Sequence, residues 1–561
     1  QNAPPTPASQ PAQPGETAQP AQAGPAATPT VEVRSVAKAD VAAPAPAGAS
    51  PAAPQGASPE PAAPAARTEP TGKLTYGLDT SIAPVYFDPL ENTQATTPYI
   101  YSYLLHDAML KHLPGQPYAP SLAESYEIAP DFRSATFRLR PGVKFHNGEP
   151  VTVEDVKWTF ENYKGANAKV LKDKTASIET PDARTVRFVF KEPFLDFLTI
   201  YGSAASGAGW IVPSKYYQEV GPDGFKRNPI GAGPYKLVRQ VPGNEIEVEA
   251  VADYHRKAPK IKTIVVKTIP DAATRVAAIQ TGEVDLAQQI PYTLIDTIRN
   301  DPNLQLVVSF GESVLTIEFP AFERPESPFH DKRIRQAVSL ALDRQALTDA
   351  ETGGLAPTVG NWIPEDWPGA LKVPAPQQDL EKAKQLMVEA GYPDGFDAET
   401  ITPVTPTYAS LAERVLAQLR PLGIRARLNT MELAAYLAAT AKNQTPEHLR
   451  WMTIETYGGA GDAAGRIESA ATCTGARTPK CIPEVEEMWR RYQASTDPRE
   501  RESIIVDIQN YLLDNNVMVP MYRNIFFHAQ GPRVANDSKE IWGAIPQFSF
   551  LGPYEDIRLT E

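Results

Sequence analysis

The chain has 561 residues, and its 54 Lys and Arg stand against 67 Asp and Glu, which gives a formal net charge of −13 at pH 7. Nucleic-acid binding depends on a basic surface that neutralises phosphates, so this charge argues against a nucleic-acid partner. No apolar run reaches the length of about 18 residues that a membrane-spanning helix requires.

Residues 1–72 differ in composition from the rest of the chain. None of the 19 Phe, 7 Trp and 22 Tyr lies there, whereas 16 of the 56 Pro do, mixed with Ala, Gln, Gly, Ser and Thr. A segment with so few large apolar side chains cannot bury enough surface to offset its conformational entropy, so we expect a disordered tether. The remaining residues suffice for two or three hydrophobic cores.

A strand–turn–strand–helix passage follows the first predicted strand, residues 73–78. Between residues 135 and 140, apolar and polar side chains alternate as in a half-buried strand. After two glycine-containing turns, Thr152 is placed to cap a helix. The apolar residues of this helix recur at three- and four-residue spacing and predict one buried face, formed by Val153, Val156, Phe160 and Tyr163.

Further strands and helices alternate along the rest of the chain. In chain order, the predicted elements are strands at 185–190 and 262–269, a helix at 272–280 that leads into a strand near 283–287, helices capped by Asp331 and Asp379, a helix at 411–422 and a strand at 424–428. Such alternation with turn-rich insertions predicts an α/β architecture with more than one sheet.

The two cysteines, Cys473 and Cys481, flank a segment rich in turn formers. The nearest histidines, His448 and His528, are distant in sequence, so a metal site is not predicted there. We favour a disulfide that closes this short loop, with two free thiols in a cytosolic protein as the alternative. A disulfide implies an oxidising compartment, and a long Pro/Ala-rich tether suits a secreted or periplasmic protein.

The sequence contains no pattern of a catalytic centre. It has no His pair at zinc-protease spacing, no Gly-x-Ser-x-Gly elbow and no Gly-x-x-x-x-Gly-Lys phosphate loop. We therefore expect no enzyme activity, no metal and no cofactor. The glycine-rich residues 458–465 predict either a flexible loop or a loop whose backbone closely approaches a small ligand.

Several stretches carry a family resemblance. The most specific covers residues 122–131 and 137–160, and the second part reads Phe-Arg-Leu-Arg-Pro-Gly-Val-Lys-Phe-His-Asn-Gly-Glu-Pro-Val-Thr-Val-Glu-Asp-Val-Lys-Trp-Thr-Phe. The others are residues 228–237, 278–287, 331–344 and 389–396. Together, from residue 74 to about 534, they resemble the large extracytoplasmic solute-binding proteins of ABC importers, of the oligopeptide, dipeptide and nickel type.

The resemblance implies an α/β, two-lobe periplasmic-binding-protein-like (type II) fold that closes over a ligand by a hinge. The first lobe would contain residues 73–317 and 527–561, with an extra subdomain near residues 119–226. The second lobe would contain residues 318–526. The disordered residues 1–72 would precede both lobes.

In this family the ligand lies between the lobes, against a segment after the first strand and a loop after a second-lobe strand. The residues so implied are Val85, Tyr86, Trp362, Tyr457, Gly458, Gly459, Asp462, Arg466, Tyr522 and Arg523. Asp462 would meet a ligand ammonium and Arg466 a carboxylate, although Ala463 stands where the family commonly has Pro. The alternatives are a surface loop with solvated charges and a packing role for Trp362.

The leading function is that of a monomeric, non-enzymatic binding protein in the periplasm or another extracytoplasmic compartment, with the signal peptide absent from this chain. It would capture a short peptide or peptide-like organic solute and deliver it to the membrane permease of an ABC transporter. The alternatives are a non-peptide ligand (an opine, a nickel chelate or a glutathione-like compound), a chemosensory receptor, or an enzyme on the same fold.

Removal of the predicted tether, Gln1 to about Thr71, tests its disorder. We expect limited proteolysis to trim this segment and the trimmed protein to keep the melting temperature of the full chain, because a segment without a core contributes little to stability. Calorimetry before and after trimming measures this. Loss of folding upon deletion would contradict the prediction.

Overall fold

The computed structural model describes residues 69–92, 97–165, 167–202, 207–431, 433–440, 449–458, 461–473, 475, 480–543, 545 and 551–560. All of them lie within one unit, Gly48–Glu561. The expected tether, residues 1–72, falls outside the described residues except for its last four, and the first strand begins at Thr71.

The strands of the described residues are short except for two. They are β1 (Thr71–Leu78), β2 (Asp107–Ala108), β3 (Leu110–Leu113), β4 (Gln116–Pro120), β5 (Ala123–Ile128), β6 (Ser134–Leu139), β7 (Thr175–Asp182), β8 (Thr185–Phe190), β9 (Trp210–Ile211), β10 (Tyr235–Val241), β11 (Glu245–Ala250), β12 (Ile261–Thr268), β13 (Leu286–Ala287), β14 (Gln305–Glu318), β15 (Phe396–Pro403), β16 (Ile424–Leu428), β17 (Met452–Glu455) and β18 (Met518–Gln530).

The helices lie between these strands. They are α1 (Thr97–Leu105), α2 (Val153–Asn162), α3 (Ala168–Lys174), α4 (Phe197–Tyr201), α5 (Ser214–Arg227), α6 (Ala272–Gln280), α7 (Ile295–Arg299), α8 (Lys332–Ala341), α9 (Arg344–Thr352), α10 (Leu380–Glu389), α11 (Ala409–Leu419), α12 (Leu433–Thr440), α13 (Ala463–Ala471), α14 (Pro483–Ala494), α15 (Pro498–Asp514) and α16 (Ser538–Ile541).

The largest sheet has the strand order β10-β11-β12-β1-β13-β18-β14-β17-β15-β16. Strand β1 runs parallel to β12 and β13, and β15 runs parallel to β16 and β17. The two long strands, β14 and β18, pair antiparallel in the middle. They therefore join the two halves of this sheet. A second sheet, β5-β6-β8-β7, is entirely antiparallel.

Three hydrophobic cores fill the described residues. The first core surrounds β1 and includes Leu74, Tyr76, Tyr101, Trp542 and Tyr554. The second core packs against the four-stranded sheet and includes Phe137, Val156, Phe188, Phe197 and Tyr201. The third and largest core runs from Val276 to Ala529 and includes Ile334, Trp362, Leu411, Ile467 and Ile508.

The predicted α/β class and most predicted elements are confirmed. Thr152 caps α2 and forms a reciprocal pair of hydrogen bonds with Asp155, and the predicted inward face of α2 is buried. Helix α6 has the predicted bounds. Helix α11 ends three residues early, at Leu419, because Pro421 has no N–H to continue the α-helical bonds, and a 3-10 turn follows.

Buried histidines are a common feature of the first two cores and the central strands. His528, on β18, stacks on Trp542 with ring centroids 4.0 Å apart, and its Nε2 lies 2.7 Å from Ser309 Oγ. Burial lowers the pKa of His528 and His106 to about 3. Each of these imidazoles is therefore neutral in the folded protein.

Within the part of the chain that the structure describes, the helices are too short or too polar to span a lipid bilayer.

Candidate functional site

The long strands β14 and β18 lose their regular register between Phe310 and Val314. Arg523, on β18, faces this bulge, and its Nε donates to the Gly311 carbonyl at 3.0 Å. Its Nη1 lies 3.0 Å from Asp366 Oδ1, and its guanidinium lies 5.0 Å from the centroid of the Phe310 ring. Arg523 therefore supports the backbone of the bulge from the neighbouring strand.

Arg466, on α13, reaches the same bulge from the other side. Its Nη2 donates to the Glu312 carbonyl at 2.8 Å, and its Nη1 donates to the Tyr457 carbonyl. The guanidinium has no exposed surface and lies 4.8 Å from the centroid of the Trp367 ring. Burying a guanidinium is costly unless its donors are used, so these contacts tie the loop after β17 to the bulge in β14.

Tyr457, the second residue of that loop, points into the third core. Its hydroxyl lies 2.8 Å from both carboxylate oxygens of Glu318, and Lys480 Nζ lies 2.7 Å from Glu318 Oε2. Lys480 Nζ also donates to the Ala470 carbonyl at 3.3 Å, near the end of α13. Trp362 packs edge-on against the Tyr457 ring, with centroids 6.5 Å apart. The ring of Tyr457 is thus fixed by one buried ion pair and one aromatic neighbour.

Lys480 is held next to a disulfide. The sulfurs of Cys473 and Cys481 are bonded in the structure, and Cys481 directly follows Lys480. The Cys481 N–H donates to Glu323 Oε1 at 3.0 Å. The disulfide therefore closes a short ring that starts just after α13 and returns Lys480 to the core.

Asp462 caps the N-terminus of α13, because its Oδ1 accepts the Gly465 N–H at 2.8 Å. Its Oδ2 accepts the Thr199 hydroxyl at 3.3 Å. Burial raises the pKa of Asp462 to about 6; the Gly465 N–H opposes this shift, and the nearby Asp196 carboxylate adds to it. An added cation beside this carboxylate would favour its charged form.

Two predicted residues precede α1, and one of them, Tyr86, packs against the first core. Val85 and Tyr86 lie in the 3-10 turn Pro84–Phe87, and both are partly exposed. The Tyr86 ring stacks on Tyr101 with centroids 6.0 Å apart. This turn follows the carboxyl end of β1, as the sequence analysis expected of the extended segment.

The remaining predicted residues surround the bulge. Gly458 is exposed, and a Cβ built on it would lie 3.4 Å from Glu312 Oε1. Tyr522 is buried on β18 and bridges to Thr358. Gly459 lies outside the described residues. The structure thus brings Trp362, Tyr457, Gly458, Asp462, Arg466, Tyr522 and Arg523 to one region around β14.

Further side chains near Asp462 were not predicted from the sequence, and they come from the second core (Tyr118 and Thr199) and from the third (Arg501). Tyr118 donates to the Thr199 hydroxyl at 3.3 Å, and Arg501 Nη2 donates to Asp196 Oδ1 at 2.7 Å. No periodicity or motif marks these side chains, since their partners lie 81 and 305 positions away in the sequence. Among the residues that the structure describes, no group of three or more His, Cys, Asp or Glu side chains is arranged to hold a metal ion.

The family model "Bacterial extracellular solute-binding proteins, family 5 Middle" matches residues 117–475, more than half of the chain. The chain belongs to this family. Family 5 proteins are the solute-binding components of ABC importers for peptides and related ligands. This agrees with the resemblance seen in the sequence.

Three curated proteins illustrate the range of the family. The chain is 28% identical to haem-binding protein A of Haemophilus influenzae over 69% of this chain and 74% of that protein. It is 30% identical to the glutathione-binding protein GsiB of Salmonella typhi over 55% of this chain and 60% of that protein, so it spans less than two thirds of that relative. It is 25% identical to di/tripeptide-binding protein 2 of Pseudomonas aeruginosa over 82% of this chain and 92% of that protein.

Solved structures share the fold of this family 5 protein. The substrate-binding protein CtaP of Listeria monocytogenes superposes with a TM-score of 0.76 at 22% identity, over 88% of this chain and all of that chain. A dipeptide-binding protein of Pseudoalteromonas in complex with Met-Leu superposes with a TM-score of 0.71 at 21% identity, over 87% of this chain and all of that chain. The predicted periplasmic-binding-protein-like fold is confirmed.

Replacement of Lys480 tests the buried ion pair behind Tyr457. Lys480→Met would leave the Glu318 carboxylate buried without its cation, so we expect a loss of about 3–5 kcal/mol in the free energy of unfolding. Lys384→Met is the matched control, because Lys384 pairs with Glu381 on the surface of α10 and both are well exposed. The control should change stability by less than about 0.5 kcal/mol. Equal denaturation midpoints for both variants would contradict the prediction.

Proposed function

We propose that this protein captures a short peptide or peptide-like organic solute between two lobes and delivers it to the membrane permease of an ABC transporter. It would act as a monomer outside the cytoplasm. The first lobe would contain residues 73–317 and 527–561, and the second lobe residues 318–526. A ligand can favour the closed form only through its greater affinity for that form.

The observation that carries this proposal is the anchoring of the Tyr457 loop to the bulge in β14. The bulge lies on the strand that joins the two halves of the largest sheet. Arg466 connects the loop to it through backbone carbonyls. A ligand that contacts this loop would therefore bind beside the strands that connect the two halves of the sheet. Its binding could then change the relative position of the halves.

The chemistry of the loop favours a ligand with an ammonium group. Asp462 offers a carboxylate whose charged form is disfavoured by burial and would be stabilised by a cation. Gly458 is exposed, so its backbone N–H and carbonyl are available to a ligand. These features support a zwitterionic, peptide-like ligand. Relatives that bind glutathione and di- or tripeptides support the same class.

The residues proposed for the ligand site are those named from the sequence: Val85, Tyr86, Trp362, Tyr457, Gly458, Gly459, Asp462, Arg466, Tyr522 and Arg523. The burial of Arg466 and its backbone partners favour an indirect role for this residue, through the position of the loop. The exposed Gly458 and the partly exposed Val85 and Tyr86 favour direct contact.

Asp462→Asn tests the proposed ammonium contact. Asn caps helices as well as Asp does, so α13 should keep its first turn while the charge is lost. We expect affinity to fall about ten- to hundredfold, since a hydrogen bond to a charged group contributes about 1.5–3 kcal/mol. Calorimetry with glutathione and with Met-Leu, which both carry an ammonium group, measures this. The control is Asp379→Asn, which changes the equivalent cap of α10.

The same variant has a signature in the pH dependence of binding. The free protein holds Asp462 protonated below a pKa of about 6, whereas an ammonium ligand needs the carboxylate. Binding would therefore release a proton, and affinity should rise as the pH increases through about 6. This rise should vanish in Asp462→Asn. Wild-type affinity and pH dependence in that variant would move the ammonium site away from Asp462.

An oxidising compartment predicts that the Cys473–Cys481 bond forms in protein from its native location. The intact mass should increase by two hydrogen atoms upon reduction, and reduction should lower stability by about 2–3 kcal/mol because a short loop is released. Mass spectrometry with and without reductant measures the first effect. Two free thiols in natively produced protein would contradict the prediction.

A further inference from the structure

One ion pair connects the second core to the third. Arg501 Nη2 donates to Asp196 Oδ1 at 2.7 Å, and the Tyr492 hydroxyl donates to the same oxygen at 3.1 Å. Asp196 directly precedes α4, whose Phe197 belongs to the second core. Arg501 lies on α15, whose Ile504 belongs to the third core. The contact is therefore polar and joins two separately packed bodies of side chains.

Contacts on its own side of the ion pair fix the position of the Arg501 side chain. Its guanidinium lies 3.6 Å from the centroid of the Tyr492 ring, and its Nη1 donates to the Tyr492 carbonyl at 2.8 Å. Its side chain is only 11% exposed, against 29% for Asp196. A planar guanidinium held in this way is preorganised to receive a carboxylate.

Helix α4 also reaches the proposed ligand loop. Thr199, three residues after Asp196, donates its hydroxyl to Asp462 Oδ2 at 3.3 Å. The segment of α4 thus makes two contacts: Asp196, at its N-terminus, binds Arg501, and Thr199, one turn later, binds Asp462. Separation of α4 from the third core would break both contacts together.

We propose that Asp196 and Arg501 are positioning residues whose ion pair holds α4 against the second lobe and retains the ligand in the cleft, acting through Thr199 and Asp462. This inference rests on the proposed function, in which the ligand contacts Asp462 between the lobes. The ligand would leave only after this contact opens. The pair should therefore set the dissociation rate and leave the association rate unchanged.

The electrostatics of the contact give the inference a second readout. The charged or titratable side chains that face it are Asp196, Tyr118, Lys174, Asp462, Glu468, Tyr492 and Arg501. Burial raises the pKa of Glu468 to about 7, and Asp196 adds to that shift. Asp196 likewise raises the pKa of Asp462, whereas Arg501 lowers it. Loss of one partner should therefore move the pKa of Asp462 in the opposite direction from loss of the other.

The test measures dissociation of glutathione and of Met-Leu by stopped-flow fluorescence from Asp196→Asn, Arg501→Met and the double variant. The ligand should dissociate about three- to tenfold faster from each single variant. The increase is no larger because the pair is partly exposed and solvent weakens it. The double variant should be no faster than the faster single variant. Arg501→Lys keeps the charge and should recover part of the loss. Lys169→Met, which removes an exposed pair on the neighbouring α3, should match the wild type.

The pH midpoint of affinity separates positioning from a general packing role. It should fall below the wild-type value in Asp196→Asn and rise above it in Arg501→Met, while the association rate stays the same. Unchanged dissociation in both variants, or midpoints that move in the same direction, would overturn the inference.

Hydrogen exchange of the ligand-free protein separates this inference from the proposed function. Asp196→Asn should speed exchange in α4 and at the Gly465 amide, which Asp462 caps. If wild-type protein binds neither glutathione nor Met-Leu, the proposed peptide-like ligand is wrong. The exchange rates then test by themselves whether the Asp196–Arg501 pair holds α4 in place. Exchange equal to that of the wild type would overturn the contact, whatever the ligand.

Discussion

The buried guanidinium of Arg466 constrains the whole region around the bulge in β14. A cation without exposed surface is tolerable only where its donors reach oxygen atoms, and here those atoms belong to the backbone at Tyr457 and Glu312. Neither carbonyl can move away without leaving a buried charge unsatisfied. The loop after β17 and strand β14 must therefore move together, so a shift of one is accompanied by a shift of the other.

The electrostatic character of the region comes from burial more than from the number of acids. Asp462 and Glu468 have raised pKa values because water is excluded from them, and the nearby Asp196 increases both shifts. The same carboxylates on an open surface would be screened and would show little preference for a cation.

The sequence predicted what depends on neighbouring residues. The cap at Thr152, the bounds of α6 and the alternating strands follow from local hydrogen bonding and from periodicity, and each is confirmed. Most of the residues it named for the site do gather around β14. Their roles could not be predicted, because burial of Arg466 and the pairing of Asp196 with Arg501 depend on segments 154 and 305 positions apart. A charged residue in a loop looks the same in sequence whether it is solvated or enclosed.

The neutral histidines set how the protein responds to acid. His106 and His528 stay unprotonated in the fold down to a pKa of about 3, whereas an unfolded chain would protonate them near pH 6.5. Below that value, unfolding takes up protons, and each histidine lowers stability by about 1.4 kcal/mol per pH unit. Glu468, with its pKa raised to about 7, works the other way, but only until the unfolded chain also protonates it near pH 4.3. In more acidic surroundings the buried imidazoles would therefore be a main cause of the loss of stability.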